Sequence, residues 1–172
     1  MSVKISELPV LSPDDIAAGD VVPIVDASAG ETKKIDLHAL RGNAVLQVVQ
    51  GTRTVNLTFT AETDNVVTAE ITPRSTSSKV AVLVFGRCAV DDGVFQVQEI
   101  FRDVVRVQAS SFGNGLGGYS ESNMALGVLD SPNTTSSITY RLRVNRADGS
   151  DNAYIYASSA APLVMILAEI AG

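Results

Sequence analysis

The sequence contains no tryptophan, and aromatic residues of all kinds make up only 5% of its 172 positions. Sugar-processing grooves rely on aromatic platforms, so a deep polysaccharide cleft is not expected from this composition. Tyr119 is the best single candidate for stacking on a ring, with Phe112 second. Histidine is equally scarce: His38, in DLHAL, is the only one. No serine lies in a nucleophile-elbow pattern for it to serve, so packing or solvent exposure is its expected role and the chain is not read as an enzyme. The lone cysteine, Cys88, excludes an intrachain disulfide, and its neighbours VFGRCAV read as buried strand around a plain core thiol. Positive charge is also short. Thirteen Lys and Arg against nineteen Asp and Glu leave a net charge of −6, which gives no long-range attraction to nucleic acid or anionic lipid. The longest apolar run, Ala160 to Ala168, falls far short of the roughly 20 residues that span a membrane, and MSVKISELPV lacks the apolar core of a signal peptide. Neither membrane insertion nor a nucleic-acid partner is expected.

What is present divides near Gly42. Residues 1–42 carry short apolar clusters cut by prolines and acids: Ile5 and Leu8; Val21, Val22, Ile24 and Val25; Ile35, Leu37 and Leu40. These are too small for an independent core, so this arm is expected to be extended and to hold little fixed structure until it docks on a partner. Residues 43–172 read as strand after strand. In TRTVNLTFTA, Val55, Leu57 and Phe59 alternate with Thr54, Asn56, Thr58 and Thr60. NVVTAEIT continues to Pro73, and RSTSS then supplies turn residues before VAVLVFG. VFQVQ sets Phe95 and Val97 against Gln96 and Gln98, while ITYRLRV sets Ile138, Tyr140, Leu142 and Val144 against Thr139, Arg141 and Arg143. With Gly, Pro, Asn and Ser at the intervening turns, the fold class is all-β: a β-sandwich or jelly-roll-like body bearing a short extended N-terminal arm. Leu163, Val164, Met165, Ile166 and Leu167 run without alternation, so both faces of that strand must be covered, by a central position in the sandwich or by a subunit interface.

Other patterns have simple readings. Gly113 to Gly118 formally satisfies GxGxxG, but YSESNMALG after it is too short and glycine-limited for the helix that a dinucleotide site requires. Asp148-Gly149-Ser150-Asp151-Asn152 lacks the spacing of a calcium loop and reads as a polar hairpin turn. Asp91 and Asp92 read as turn residues, since adjacent strand-end positions point to opposite sides and cannot flank one glycosidic bond. No cofactor or metal site is therefore expected. Arg141 and Arg143, with Arg146, Arg102 and Arg106 elsewhere, read as a solvated face or as partners of acids on neighbouring strands rather than an anion site.

The opening ISELPVLSPDDIAAGDVVPIVD with TKKIDLHAL resembles the N-terminal segment of fibre and appendage proteins of tailed bacteriophages. NAVLQVVQGTRT, ITPRSTSSKVAVLV, DSPNTTSSITYRLRV, AYIYASS and APLVMILAEIA are similar to a companion phage module. The resemblance implies a homotrimeric virion structural protein, made in the host cytoplasm and placed on the virion surface. Its arm would dock on phage capsid or tail proteins through Ile5, Leu8, Val22, Ile24, Val25, Ile35 and Leu37, and its trimer interface would hold Leu163 to Leu167. Arm and body lie within about ten residues of each other, as in a head fibre or capsid-decorating protein rather than a long tail fibre. The alternative within the resemblance is a tail-fibre or spike protein that binds a host surface glycan or protein through Phe112 and Tyr119. A small β-sandwich enzyme acting on polysaccharide would need a carboxylate pair that the sequence does not place.

Overall fold

The computed structural model describes residues 21–26, 28–36, 44–113, 118–148 and 151–172. His38, Ile5, Leu8, Leu37 and the centre of the glycine-rich segment lie outside the described residues, as do Gly149 and Ser150. The chain forms two compact units, residues 1–44 and 45–172.

In the first unit, β1 (Val21–Asp26) and β2 (Glu31–Asp36) form an antiparallel hairpin in register from Val21↔Asp36 to Asp26↔Glu31. Gly30, at φ +67°, closes the turn in a conformation that favours glycine. Regular structure therefore exists in residues 21–36, where the sequence predicts little. Local β-propensity in VVPIVD and a glycine turn suffice for a hairpin, although two strands alone are only marginally stable in water.

Among the described residues the second unit is a β-sandwich of ten strands, all paired antiparallel: β3 (Val45–Arg53), β4 (Leu57–Phe59), β5 (Thr63–Ile71), β6 (Lys79–Val90), β7 (Phe95–Arg102), β8 (Val105–Gly113), β9 (Ser120–Asp130), β10 (Ile138–Asp148), β11 (Ala153–Tyr156) and β12 (Leu163–Ile170). One sheet has the order β5-β10-β7-β8. The other is built around β6, whose first edge pairs β12 and then β11, while β9 runs along its second edge. β3 and β4 extend that sheet beyond β12 and β11. The chain crosses repeatedly between sheets, as expected for a jelly-roll-like body.

Period-2 alternation places the core. Val80, Val82 and Val84 of β6, Leu163, Met165 and Leu167 of β12, and Ile138, Tyr140, Leu142 and Val144 of β10 are all at or near zero exposure between the sheets. β12 thus alternates after all, with Val164 and Ile166 half-buried on the outer face. Close approach at the flank of the sandwich requires glycine at one position: a Cβ on Gly51 of β3 would overlap the Thr68 carbonyl oxygen of β5.

Two sequence readings change. Val55 does not join a strand with Leu57 and Phe59: β3 has ended at Arg53, and Val55 lies 65% exposed in the bend before β4. In β7 the glutamines face inward and Phe95 outward, with Gln96 fully buried and Phe95 39% exposed. Burial pushes the thiol of Cys88 up, only partly offset by the amides of Gln98 and Gln96 beside it. Buried Glu169 is satisfied within the fold, accepting from Gln47 Nε2 at 2.6 Å and the Arg74 backbone nitrogen at 2.7 Å.

Candidate functional site

The outer face of the β6 sheet carries both features that the core does not explain. Outward positions on β6 are Ala81, Leu83, Phe85, Arg87 and Ala89. Register then fixes their neighbours. Leu83 lies between Ile166 and Gly127, Phe85 between Val164 and Ala125, and Ala81 between Ala168 and Leu129. β3 adds Val48 beside Ala168. This stretch is apolar and open: Val48 is 61% exposed, Leu129 55%, Phe85 45% and Leu83 37%.

Two rows further along β6 the same face becomes polar and aromatic. Arg87 is opposite Tyr156 and Asn123, and Ala89 opposite Tyr154 and Glu121. Tyr154 and Tyr156 project from one side of β11 because they are two residues apart on a strand. Their rings stack nearly parallel, with centroids 5.8 Å apart. Tyr154 is tied down by its hydroxyl, which donates to Asp91 Oδ2 at 2.9 Å. Tyr119, just before β9, tilts against Tyr154 with ring centroids 6.5 Å apart and donates to the Tyr156 hydroxyl at 3.0 Å. That bond, with burial and Glu121 adding to it, raises the Tyr119 phenol above its usual range. Asp91 does the same for Tyr154.

These groups border a cleft of about 300 Å³ lined by Asn56, Arg87, Tyr119, Glu121, Tyr156 and Ser158 among others. Arg87 and Glu121 pair across β6 and β9. Asn56 is held by its side-chain oxygen, which accepts from the Ala157 nitrogen at 2.8 Å and leaves the amide nitrogen to other partners. A charge-balanced Arg87–Glu121 pair, an amide and ring faces thus meet in an open depression, at the lower end of the size range of small-molecule sites.

The expected site residues are distributed unevenly. Tyr119 is in the cleft; Phe112 is on edge strand β8 and packs partly against the core. Of the proposed interface run, Val164 and Ile166 face outward, whereas Leu163, Met165 and Leu167 belong to the core between the sheets. Val22 is 37% exposed on β1; Ile24, Val25 and Ile35 take backbone positions in the hairpin. The arginines pair with acids: Arg143 with Glu99 at 2.8 Å and Glu62 at 3.1 Å, Arg106 with Glu99 at 2.7 Å, Arg102 with Asp130 at 2.7 Å. Tyr154, Tyr156, Arg87, Glu121 and Asn56 escaped sequence reasoning as a group. The alternation in AYIY, with a tyrosine at every second position, was the signal available. Among the described residues, no group of three or more His, Cys, Asp or Glu side chains is placed to hold a metal ion.

No protein-family model matches the chain, and no curated protein matches it. Solved structures that resemble it include dimeric latent PorU from Porphyromonas gingivalis, at 10% identity and a TM-score of 0.44 over 87% of this chain and 18% of that one. The Gt strain of infectious bursal disease virus matches at 13% identity and a TM-score of 0.43, over 90% of this chain and 43% of that one. The CBM36-1 domain of a multidomain xylanase from the hindgut metagenome of Trinervitermes trinervoides matches at 15% identity and 0.37, over 73% and 96%. The chain spans less than half the length of the first two. Likeness at this level carries no argument about function.

Proposed function

We propose that the protein is a structural component of a bacteriophage virion surface: a homotrimeric appendage or capsid-decoration protein, held to capsid or tail proteins by residues 1–42. Its role is architectural rather than catalytic. The observation that carries this reading is the apolar outer face of the β6 sheet, where Val48, Leu83, Phe85 and Leu129 stand exposed around Val164 and Ile166. A contiguous apolar surface of this kind marks an interaction site. A second and a third copy of the same chain are its natural occupants, because closed symmetric association buries the same face on every protomer. The resemblance of the N-terminal segment to phage fibre anchors supports the virion setting, and the division into two units supports an anchor separable from the body.

Sedimentation of the full-length protein tests the assembly: a trimer at micromolar concentration is expected, and a monomer overturns it. Immunogold labelling of intact particles tests the location, with label on the head or neck expected. Deletion of residues 1–42 is expected to leave a folded body that no longer joins the particle; normal incorporation would place attachment elsewhere. The second reading, a tail-fibre or spike protein that contacts the host surface, is favoured by the tyrosine cleft.

A further inference from the structure

We infer that the tyrosine cleft at the end of the β6 sheet is a binding site for a neutral saccharide, with the face of one pyranose ring laid against Tyr156 and its hydroxyls met by Asn56, Arg87 and Glu121. This goes beyond the architectural role and does not depend on it.

Three of the protein's four tyrosines gather here in a chain with no tryptophan. They are also pre-arranged. Tyr154 is fixed by Asp91 and stacks behind Tyr156, which is the ring that lines the cleft. Tyr119, 54% exposed, forms a second aromatic wall and is joined to Tyr156 through their hydroxyls. Rigid aromatic surface of this sort supplies contact area at low entropic cost.

The polar groups select the ligand class. Arg87 and Glu121 form an ion pair, so the cleft offers a donor and an acceptor side by side with no net charge. Neighbouring hydroxyls on a sugar ring can accept from the guanidinium and donate to the carboxylate at once. Asn56 presents an amide nitrogen beyond the oxygen already used. A phosphate, sulfate or uronate would have to break the Arg87–Glu121 pair and face the Glu121 charge. A lipid or a flat aromatic ligand would want a deep apolar pocket, whereas only Ala157 and Ala161 supply aliphatic surface in this open cleft. A pyranose, with an apolar C–H face and a hydroxyl rim, suits both the ring walls and the charge-balanced polar groups.

The absence of tryptophan makes the test direct, because tyrosine emission reports mainly on this cleft. The full-length protein is titrated with maltotriose, cellotriose, chitotriose and methyl galactoside, and with trigalacturonate as the anionic probe. At least one neutral sugar is expected to give a saturable change in tyrosine emission below about 10 mM. Tyr156→Ala is expected to weaken that binding roughly tenfold and Tyr119→Ala about threefold, with Tyr140→Phe as an unaffected control. Far-UV circular dichroism checks folding; should Tyr156→Ala fail to fold, the exposed Tyr119 position still decides. No response to any neutral sugar, tighter binding of trigalacturonate, or unchanged affinity in both tyrosine variants overturns the inference. Sedimentation of the same samples keeps its failure distinct from that of the trimer: absence of sugar binding by the unmutated protein while it sediments as a trimer refutes the saccharide site alone.

Discussion

The two outer faces of the sandwich solve the same problem in opposite ways. Phe101, outward on β7, is only 7% exposed because Arg143 and Arg141 lie over its ring, their guanidinium carbons 4.2 and 5.3 Å from its centroid. Those arginines are held in turn by Glu99 of β7, Asp64 of β5 and Glu62 just before β5. Phe85, outward on β6, has no such cover and is 45% exposed. One face is covered by its own chain; the other leaves its aromatic ring open. Cations stacked on an aromatic ring keep a surface wet and monomeric, while an unroofed Phe among Val, Leu and Ala invites association.

The most severe way to break this contrast is to charge the open face. Leu83→Asp places a carboxylate among Ile166 and Gly127, where a packed neighbour would strip its water. Association should weaken by roughly 3 kcal/mol or more, about a hundredfold, in sedimentation equilibrium. The isolated fold should survive, since Leu83 is 37% exposed there.

The finished face should respond in the opposite sense. Glu99→Ala removes the carboxylate that holds Arg106 and Arg143, and is expected to cost the fold about 1–3 kcal/mol in denaturant unfolding while leaving the affinity of the proposed trimer unchanged. Acid should act through the same group. Burial opposes ionisation of Glu99, but hydrogen bonds from Arg106 and Arg143 outweigh it and hold the carboxyl below its usual range. A lowered folded-state pKa means that the unfolded chain binds more protons, so this stabilisation is present above the ordinary Glu value near ~4.3 and is lost as pH falls through the folded value. Glu99→Gln should flatten that part of the stability–pH curve; an unaltered slope would remove Glu99 from the account.

Salt gives the mildest separation. Sodium chloride at about 1 M should screen the exposed ion pairs and lower fold stability by no more than about 1 kcal/mol. Sulfate should tighten the proposed trimer, because it strengthens apolar burial. A trimer that dissociates in either salt would mean that charge, not the apolar face, holds it together.

Alternation made much of the sandwich legible: ITYRLRV forms a strand with Ile138, Tyr140, Leu142 and Val144 inward, NVVTAEIT is strand through Ile71, and the Pro73 stop precedes β6 as read. β8 and β9 were opaque because an edge strand such as VRVQASSFG and a strand interrupted by Gly127 lack a clean apolar stripe. VFQVQ is a case in which alternation alone leaves the buried side open. Its alternation is plain, but which set faces inward depends on the opposite sheet, and there the glutamines took the buried side. The cleft was legible only through Tyr119; its other walls come from β6, β9, β11 and the bend before β4, brought together by pairings that no local pattern announces. On β12 the apolar run showed that both faces needed cover but not that the chain itself buries three of its five residues.

Cys88 lies 1% exposed between the two sheets, its thiol made less acidic by burial. A thiol so placed is closed to an alkylating reagent while the sheets are together, and its labelling can proceed only through molecules whose layers have parted. The rate at which a maleimide consumes this single sulfur is therefore a clock for the opening of the body, started without any engineered probe. Read at rising protein concentration, it would tell whether neighbouring copies slow that opening or merely stand beside it.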